Sequence, residues 1–297
     1  MKGIILHGGH GTRLRPLTHT GPKQLLPIAN KPMSQYCLES IRSTGIKDVA
    51  IIVGGIGSNR VREYYKDGQD FGVKITYIQQ DLPRGIAHAI RLCKDFVGND
   101  KFLVFLGDNI IQKEITEFAR EFENSDASAS ILLCEVDNPS RFGIADVKEN
   151  KILKIMEKPK IPPTNLAVTG IYFLTPEIFD VIDNLKPSWR NELEITDSLQ
   201  MLLEKNRKIT YHKITDYWKD TGTPEDIIHA NGEILDKINP SFFGTKDDSV
   251  IISGKVSIGK DTVIRNGVKI VGPVIIGSNC KIEGVAMIGP NTSIGDN

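Results

Sequence analysis

Apolar and polar positions in the first half of the chain follow two alternating patterns. Short runs of Ile, Val, Leu and Phe, typical of buried strands, precede longer stretches with apolar residues at helical spacing. The predicted strands cover residues 3–6, 49–53, 74–78, 102–106 and 130–136. The predicted helices cover residues 33–44, 58–65, 85–95 and 115–123. This alternation predicts an α/β fold with a parallel or mostly parallel sheet, in which ligands bind at the strand ends.

The pattern changes after residue 141. Two shorter strands, 142–147 and 152–157, read as a hairpin, and a third strand is predicted at 168–174. Helices are predicted at 176–184, 194–204 and 224–237. The last of them has Thr223 as a candidate N-cap and Pro224 in the first helical position. Residues 1–237 are therefore predicted to form one domain.

A six-residue repeat occupies the end of the chain. Isoleucine recurs at every sixth position from Ile252 to Ile294. Such a period marks a parallel β-helix, with the repeated side chain inside the coil. We expect a short left-handed β-helix at 250–297, incomplete because Asn297 falls in mid-repeat. Residues 238–249 are rich in Asn, Pro, Gly and Asp and are predicted to be a linker.

The composition of the chain limits the kinds of partner that the protein is expected to bind. The 297 residues contain 37 Lys and Arg and 37 Asp and Glu, so the formal net charge is zero. Nothing in this balance calls for a nucleic acid or an acidic membrane as a partner. The four cysteines and six histidines lack metal-ligand or redox spacing, so reduced thiols and no zinc site are expected. With no signal peptide or membrane span predicted, we expect a cytoplasmic protein.

The clearest chemical signal lies at the N-terminus. A buried strand runs into Gly8, Gly9 and Gly11, whose backbone N–H groups can face phosphate oxygens. Arg13 adds a fork-shaped cation and Lys23 a mobile one. The glycines alone would also suit an ordinary strand-to-helix turn. Together with the two cations, they predict a grip for a nucleoside triphosphate.

The string from residue 8 to residue 32 resembles the signature of sugar-1-phosphate nucleotidylyltransferases, in particular the long form of the glucose-1-phosphate thymidylyltransferases. The resemblance extends over nearly the whole chain. It implies a Rossmann-like mixed-sheet nucleotidyltransferase domain followed by the short left-handed parallel β-helix. It also implies catalytic roles for Arg13, Lys23 and Lys158. The nucleotide-binding residues that it implies are Leu6, Gly8, Gly9, Gly11, Thr12, Arg13, Gln24, Gln80 and Gly85. The sugar-phosphate-binding residues that it implies are Gly143, Glu157, Lys158, Val168 and Arg190.

Two aspartates are candidates for a metal site. Asp108 directly follows an apolar strand, where a carboxylate is well placed for a ligand. Asp220 lies in the string Trp218-Lys219-Asp220-Thr221-Gly222. Either alone could serve a turn or a helix cap. As a pair they suit Mg²⁺, which prefers oxygen ligands, and the resemblance implies the same role.

Gln24 and Gln80 are candidates for reading the base, since an amide offers a donor and an acceptor together. Within the resembled family, Gln24 favours thymidine over other nucleosides. His7 departs from the family pattern, which has Ala before the double glycine. The larger ring could pack, donate to a phosphate or crowd the sugar of the nucleotide.

The implied reaction transfers dTMP from dTTP to glucose 1-phosphate with Mg²⁺, giving dTDP-glucose and pyrophosphate. The same chemistry with UTP, or with several nucleotides, is the alternative. A silent regulatory subunit should have lost Arg13, Lys23 or an aspartate, and all are present. An acyltransferase would need a histidine base, and none follows His229. The expected partners are the two substrates and further copies of the chain, with no nucleic acid and no membrane.

Overall fold

The computed structural model describes residues 1–8, 11–55 and 57–297. The chain forms two compact units. The first comprises Met1–Leu25 and Ser34–Asp220, and the second comprises Leu26–Met33 and Thr221–Asn297. The sequence prediction ended the first domain at residue 237, so the structure differs by giving the helix after Asp220 to the second unit.

Strands and helices cover most of both units. The strands are β1 (Lys2–Leu6), β2 (Pro27–Ile28), β3 (Lys31–Pro32), β4 (Asp48–Val53), β5 (Lys74–Gln79), β6 (Phe102–Leu106), β7 (Asn109–Ile111), β8 (Ala129–Glu135), β9 (Gly143–Lys148), β10 (Lys151–Glu157), β11 (Leu166–Leu174), β12 (Ile209–Ile214), β13 (Trp218–Asp220), β14 (Ser241–Phe242), β15 (Thr245–Lys246), β16 (Ile251–Ser253), β17 (Val256–Ile258), β18 (Val263–Ile264), β19 (Val268–Val271), β20 (Val274–Ile276), β21 (Lys281–Ile282), β22 (Ala286–Ile288) and β23 (Thr292–Ile294). The helices are α1 (Met33–Ser43), α2 (Ser58–Tyr65), α3 (Ile86–Arg91), α4 (Lys94–Val97), α5 (Thr116–Glu123), α6 (Glu177–Ile182), α7 (Ile195–Glu204) and α8 (Pro224–Leu235). Short 3-10 helices lie at Thr12–Leu14, Lys23–Leu25, Gln69–Phe71 and Pro139–Arg141.

A nine-stranded mixed sheet forms the centre of the first unit. Its main path runs β10-β9-β11-β6-β1-β4-β5, and β8 joins β11 to β12. The strands β6, β1, β4 and β5 are parallel neighbours, whereas β11 is antiparallel to β6. Because parallel strands end at one edge of a sheet, the carboxyl ends of β1, β4, β5 and β6 meet there. This Rossmann-like arrangement agrees with the predicted α/β fold.

Both faces of the sheet are covered, as a parallel centre requires. Along β1, Ile4 and Leu6 belong to one apolar cluster and Ile5 to the other. Helices α3, α6 and α7 contribute to the first cluster, and α1, α2 and α5 to the second. Among the described residues, no helix has the length and apolar character needed to cross a membrane.

The structure differs from the sequence prediction in the first unit at two points. The helix predicted at 85–95 is split into α3 and α4, because the N–H of Cys93 bonds to the carbonyl of Ile90, three residues back, and tightens the turn. The short strands β7 and β13 and the edge strand β12 were not predicted. The other predicted strands and helices of this unit are confirmed within a few residues.

The second unit ends in a stack of parallel strands. Successive coils pair residues eighteen positions apart, as Val256 pairs with Val274, and form three sheets. Ile258, Ile276 and Ile294 therefore stack in register, as the six-residue repeat predicts. Within the predicted linker at 238–249, β14 and β15 pair with β17 and β18. This segment is thus the first turn of the stack.

Helix α8 and the β2–β3 hairpin complete the second unit. Thr223 caps α8 as predicted, since its side chain accepts from the Asp226 N–H, and the Thr223 N–H donates to Oδ2 of Asp226 at 2.9 Å. The side chain of Asn231 accepts from the Ala29 N–H at 2.8 Å and donates to the Asn291 carbonyl at 2.9 Å. One amide on α8 therefore joins the hairpin to the last coil.

Thr262 gives a test of the coil's polar interior. Its buried hydroxyl donates to the Gly277 carbonyl at 2.6 Å and accepts from the Cys280 N–H at 3.1 Å. Replacing Thr262 by Val should lower the free energy of unfolding by about 1–3 kcal/mol, because two buried backbone groups lose their partner. Urea denaturation measures the change. The exposed Thr245→Val should shift it by less than about 0.5 kcal/mol. Equal effects of the two variants would contradict the stabilising role of the Thr262 hydroxyl.

Candidate active site

A cleft of about 340 Å³ lies where the parallel strands of the first unit end. Eleven residues predicted from the sequence line it: Leu6, Gly8, Arg13, Lys23, Gln24, Gln80, Gly85, Asp108, Glu157, Lys158 and Arg190. Gly11, Thr12, Gly143, Val168 and Asp220 are described but do not line the cleft. Gly9 lies outside the described residues.

A buried ion pair joins the N-terminal signature to the end of β6. Lys23, in a 3-10 helix, pairs through Nζ with Oδ2 of Asp108 in the turn between β6 and β7. Burial disfavours the Lys23 ammonium, but Asp108 and Asp220 more than offset it, so the pKa of Lys23 is raised. Burial likewise opposes ionisation of Asp108, yet Lys23 and Asn109 hold its pKa below the ordinary value. Both groups are therefore charged at neutral pH.

Asp220 reaches the same region through strand pairing. It lies opposite Asn109 in the antiparallel pair of β13 and β7, next in sequence to Asp108. Oδ1 of Asn109 accepts from the Trp218 Nε1–H at 2.8 Å and from the Gly170 N–H at 3.3 Å. These contacts fix the turn that carries Asp108.

The two aspartates provide the kind of ligand that Mg²⁺ needs. Within the described residues, no cluster of three or more His, Cys, Asp or Glu forms a complete metal cage. Mg²⁺ is commonly held by one or two carboxylates, with phosphate oxygens and water completing the shell. Both carboxylates raise the pKa of Lys23, so Asp108 and Asp220 lie close enough to act on the same cation. Asp108 and Asp220 therefore fit a hard cation that also takes ligands from a substrate.

A second group of charged residues in the cleft is organised around Arg190. Its guanidinium lies 3.3 Å from Oε1 of Glu157, 3.2 Å from Oε1 of Glu194 and 3.0 Å from Oε1 of Glu192. Burial, with the nearby charge of Glu157, raises the pKa of Glu194. Lys158 Nζ lies 3.5 Å from Glu157. This part of the cleft therefore combines cationic side chains with carboxylates that can accept hydrogen bonds from hydroxyl groups.

Glu157 is held in place from two sides. Its Oε2 accepts from Thr196 Oγ1 at 2.8 Å, and its backbone lies opposite Gly143 in the β9–β10 pair. Gly143 and Thr196 therefore help to position Glu157 in the cleft. The sequence prediction missed Thr196, Glu192 and Glu194. The last two lie two and four residues after Arg190 in a turn before α7, where no regular spacing predicts their ion pairs.

Gln24 and Gln80 also line the cleft, and both are buried. Gln24 donates through Nε2 to the Gly8 carbonyl at 2.9 Å, and none of the described residues donates to its Oε1. Gly85, at φ +103°, precedes α3, and a methyl group on it would lie 2.4 Å from the Leu193 carbonyl oxygen. Only glycine fits there.

His7 is buried beneath this region and does not line the cleft. Neither ring nitrogen has a hydrogen-bond partner among the described residues. Burial lowers the pKa of His7 to about 3, against an opposing effect of Asp108. The ring is therefore neutral at physiological pH and packs edge-on to Tyr65, with centroids 6.2 Å apart.

Comparison with known proteins gives a consistent result. Residues 2–237 match the nucleotidyl transferase family. The low-salt glycan biosynthesis nucleotidyltransferase of Haloferax volcanii is 47% identical over 88% of this chain and 73% of its own length. The glucose-1-phosphate thymidylyltransferase of Streptomyces antibioticus is 42% identical over 100% of this chain and 83% of its own length. A crystal structure of a Bacillus anthracis protein, assigned as a glucose-1-phosphate thymidylyltransferase, superposes with a TM-score of 0.76 at 43% identity. It covers 82% of this chain and 98% of its own.

His7 generates a stability prediction. Replacing it by Leu, of similar size, should raise the free energy of unfolding by about 1 kcal/mol, because two buried polar atoms without partners are removed. Urea denaturation checks this. His212→Leu is the matched control: its Nε2 lies 3.5 Å from Glu121, so this change should not stabilise. A loss of stability in His7→Leu would mean that the imidazole makes a favourable interaction.

Proposed function

The chain belongs to the nucleotidyl transferase family, and from that premise we propose that it transfers dTMP from dTTP to glucose 1-phosphate, giving dTDP-glucose and pyrophosphate. One observation carries the proposal: a single cleft joins the Lys23–Asp108 pair, two buried glutamines and the Glu157–Arg190–Lys158 cluster. Joining two polyanions requires cations from both sides, and the cleft supplies them from separate segments.

The two groups of charged residues in the cleft suit the two substrates. Arg13 and Lys23, with the backbone of Leu6, Gly8, Gly9, Gly11 and Thr12, would hold the triphosphate. Lys158 and Arg190 would hold the sugar phosphate, and Glu157 would accept hydrogen bonds from sugar hydroxyls. Gly143 and Val168 would complete the sugar pocket. The charges and acceptor oxygens of the cleft-lining residues support this division, whereas Gly9, Gly11, Thr12, Gly143 and Val168 are assigned by the family resemblance alone.

The reaction needs no covalent enzyme intermediate. An oxygen of the sugar phosphate attacks the α-phosphorus of dTTP. The bond from that phosphorus to the oxygen bridging to the β-phosphate breaks, and pyrophosphate leaves on the opposite side. The nucleophile is already an anion, so the catalytic residues Arg13, Lys23 and Lys158 accelerate the reaction by alignment and charge neutralisation.

Members of this family generally use a divalent metal ion. Asp108 and Asp220 would hold Mg²⁺ here, and when bound it would neutralise phosphate charge. Lys23, which pairs with Asp108, adds a second positive charge next to the same phosphates.

The choice of base is proposed to rest on Gln24 and Gln80. Oε1 of Gln24, to which no described residue donates, and the buried amide of Gln80 are suited to a pyrimidine edge. UTP shares that edge, so use of UTP or of several nucleotides is the alternative.

We also propose that the coil stack is a left-handed β-helix and that the protein is a homo-oligomer. The cytoplasmic location stays a prediction.

The reaction itself is tested by pyrophosphate release with glucose 1-phosphate and Mg²⁺, comparing dTTP, UTP, ATP, GTP and CTP. We expect the highest kcat/KM with dTTP, because the family resemblance associates Gln24 with thymidine, and lower values with ATP, GTP and CTP, because the glutamines match a keto pyrimidine. Equal use of UTP would make the enzyme a general pyrimidine nucleotidyltransferase. No release with any nucleotide would contradict the proposal.

The carboxylate pair gives a second test. Asp108→Asn and Asp220→Asn should each lower kcat by roughly 100-fold or more, because the charge that faces the metal is lost. Asp126→Asn is the matched control, since this exposed aspartate pairs with Lys208 and does not line the cleft. Circular dichroism verifies that each variant is folded. Full activity in either cleft variant would remove that residue from the mechanism.

A further inference from the structure

His88 contacts the side chain of Gln80 from helix α3. The residue lies three positions after Gly85, and its Nδ1 is 3.0 Å from Nε2 of Gln80. Gln80 itself is only 5% exposed and lines the cleft. His88 does not line the cleft, and neither the sequence prediction nor the proposed mechanism uses it.

The state of the His88 ring follows from its own chemistry. A neutral imidazole ordinarily carries its proton on Nε2, so Nδ1 of His88 is available to accept from the Gln80 amide nitrogen. Burial lowers the pKa of His88, and the cations Arg84 and Arg91, which face it, lower it further. The ring is thus neutral at physiological pH and keeps its acceptor.

The contact determines the orientation of the Gln80 amide. With Nε2 turned toward His88, the carbonyl oxygen faces the Gly8 turn, where a methyl group on Gly8 would lie 3.4 Å from Oε1. The backbone of Gln80 is fixed independently, since its N–H donates to the Val53 carbonyl at 2.8 Å. Within the described residues, the side chain has His88 as its hydrogen-bond partner. The two ends of an amide are alike in size, so without His88 either could face the cleft.

We infer that His88 is a positioning residue that keeps the Gln80 carbonyl oxygen toward the base and thereby selects keto pyrimidines over cytosine. Thymine and uracil present an N–H at ring position 3, which a fixed acceptor satisfies. Cytosine presents a lone pair at that position, which a fixed acceptor repels. Selectivity then comes from an unfavourable contact with the wrong base as well as a favourable one with the right base. The inference rests on the proposed function, because it assumes that the base lies against Gln80.

The test compares dTTP with dCTP in the wild type and in two His88 variants. His88→Leu has similar size but no acceptor, so the amide is free to turn. We expect the ratio of kcat/KM for dTTP over dCTP to fall by about 10-fold. His88→Asn keeps a polar atom at the δ1 position and should restore most of the ratio. The KM for glucose 1-phosphate should not change. Leu92→Ala, an exposed position just after α3, should leave the ratio at the wild-type value.

A double-mutant cycle separates positioning from a general structural role. Gln80→Ala should lower the ratio by itself, and adding His88→Leu should lower it no further, because His88 acts through Gln80. If His88→Leu weakens both nucleotides equally, or still changes the ratio in the Gln80→Ala background, the inference is wrong.

Equilibrium binding of dTTP and dCTP is measured calorimetrically in the same variants. This measurement tests the role of His88 independently of the proposed reaction. Absence of turnover in the wild type would overturn the proposed function. An unchanged binding ratio in His88→Leu would overturn the role of His88, whether or not the wild type turns over.

Discussion

The buried pair of Lys23 and Asp108 is the constraint on which the site depends. Removing one partner of such a pair costs roughly 3–5 kcal/mol, because the other charge is left in a medium of low polarity. The 3-10 helix with Lys23 is therefore bound to the turn after β6, although 85 residues separate them. Gln24 follows Lys23 directly and is positioned by the same anchor.

The turn that carries Asp108 is held from several directions. Asn109 receives hydrogen bonds from Trp218 and Gly170, and the Cys37 thiol donates to the Leu106 and Asn109 carbonyls at 3.5 and 3.4 Å. Strands β7 and β13 bring Asp220 alongside. A carboxylate pair fixed before substrates arrive needs little reorganisation during phosphoryl transfer, which is the main advantage of a preorganised site.

Sequence reasoning predicted the elements that follow a regular period. The parallel strands and the isoleucine repeat are local patterns, and they were confirmed. Strands β7 and β13 have three residues each and exist because they pair with each other, so no local period indicates them. The predicted linker is instead a turn of the coil stack, because β14 and β15 within it pair with the exposed edges of β17 and β18. Most predicted cleft residues came from the family resemblance, whereas Thr196 and His88 emerged only from contacts in three dimensions.

The eighteen-residue coil of the second unit limits how this part of the chain can change length. Every side chain returns to the same sheet after three repeats, as Ile252, Ile270 and Ile288 do. Adding or deleting a whole coil keeps each isoleucine above another. Gaining or losing a single six-residue repeat keeps the isoleucines inside but moves all later residues by one sheet. The region can therefore evolve by duplication in units of one coil, while shorter changes would move every later residue to a different sheet.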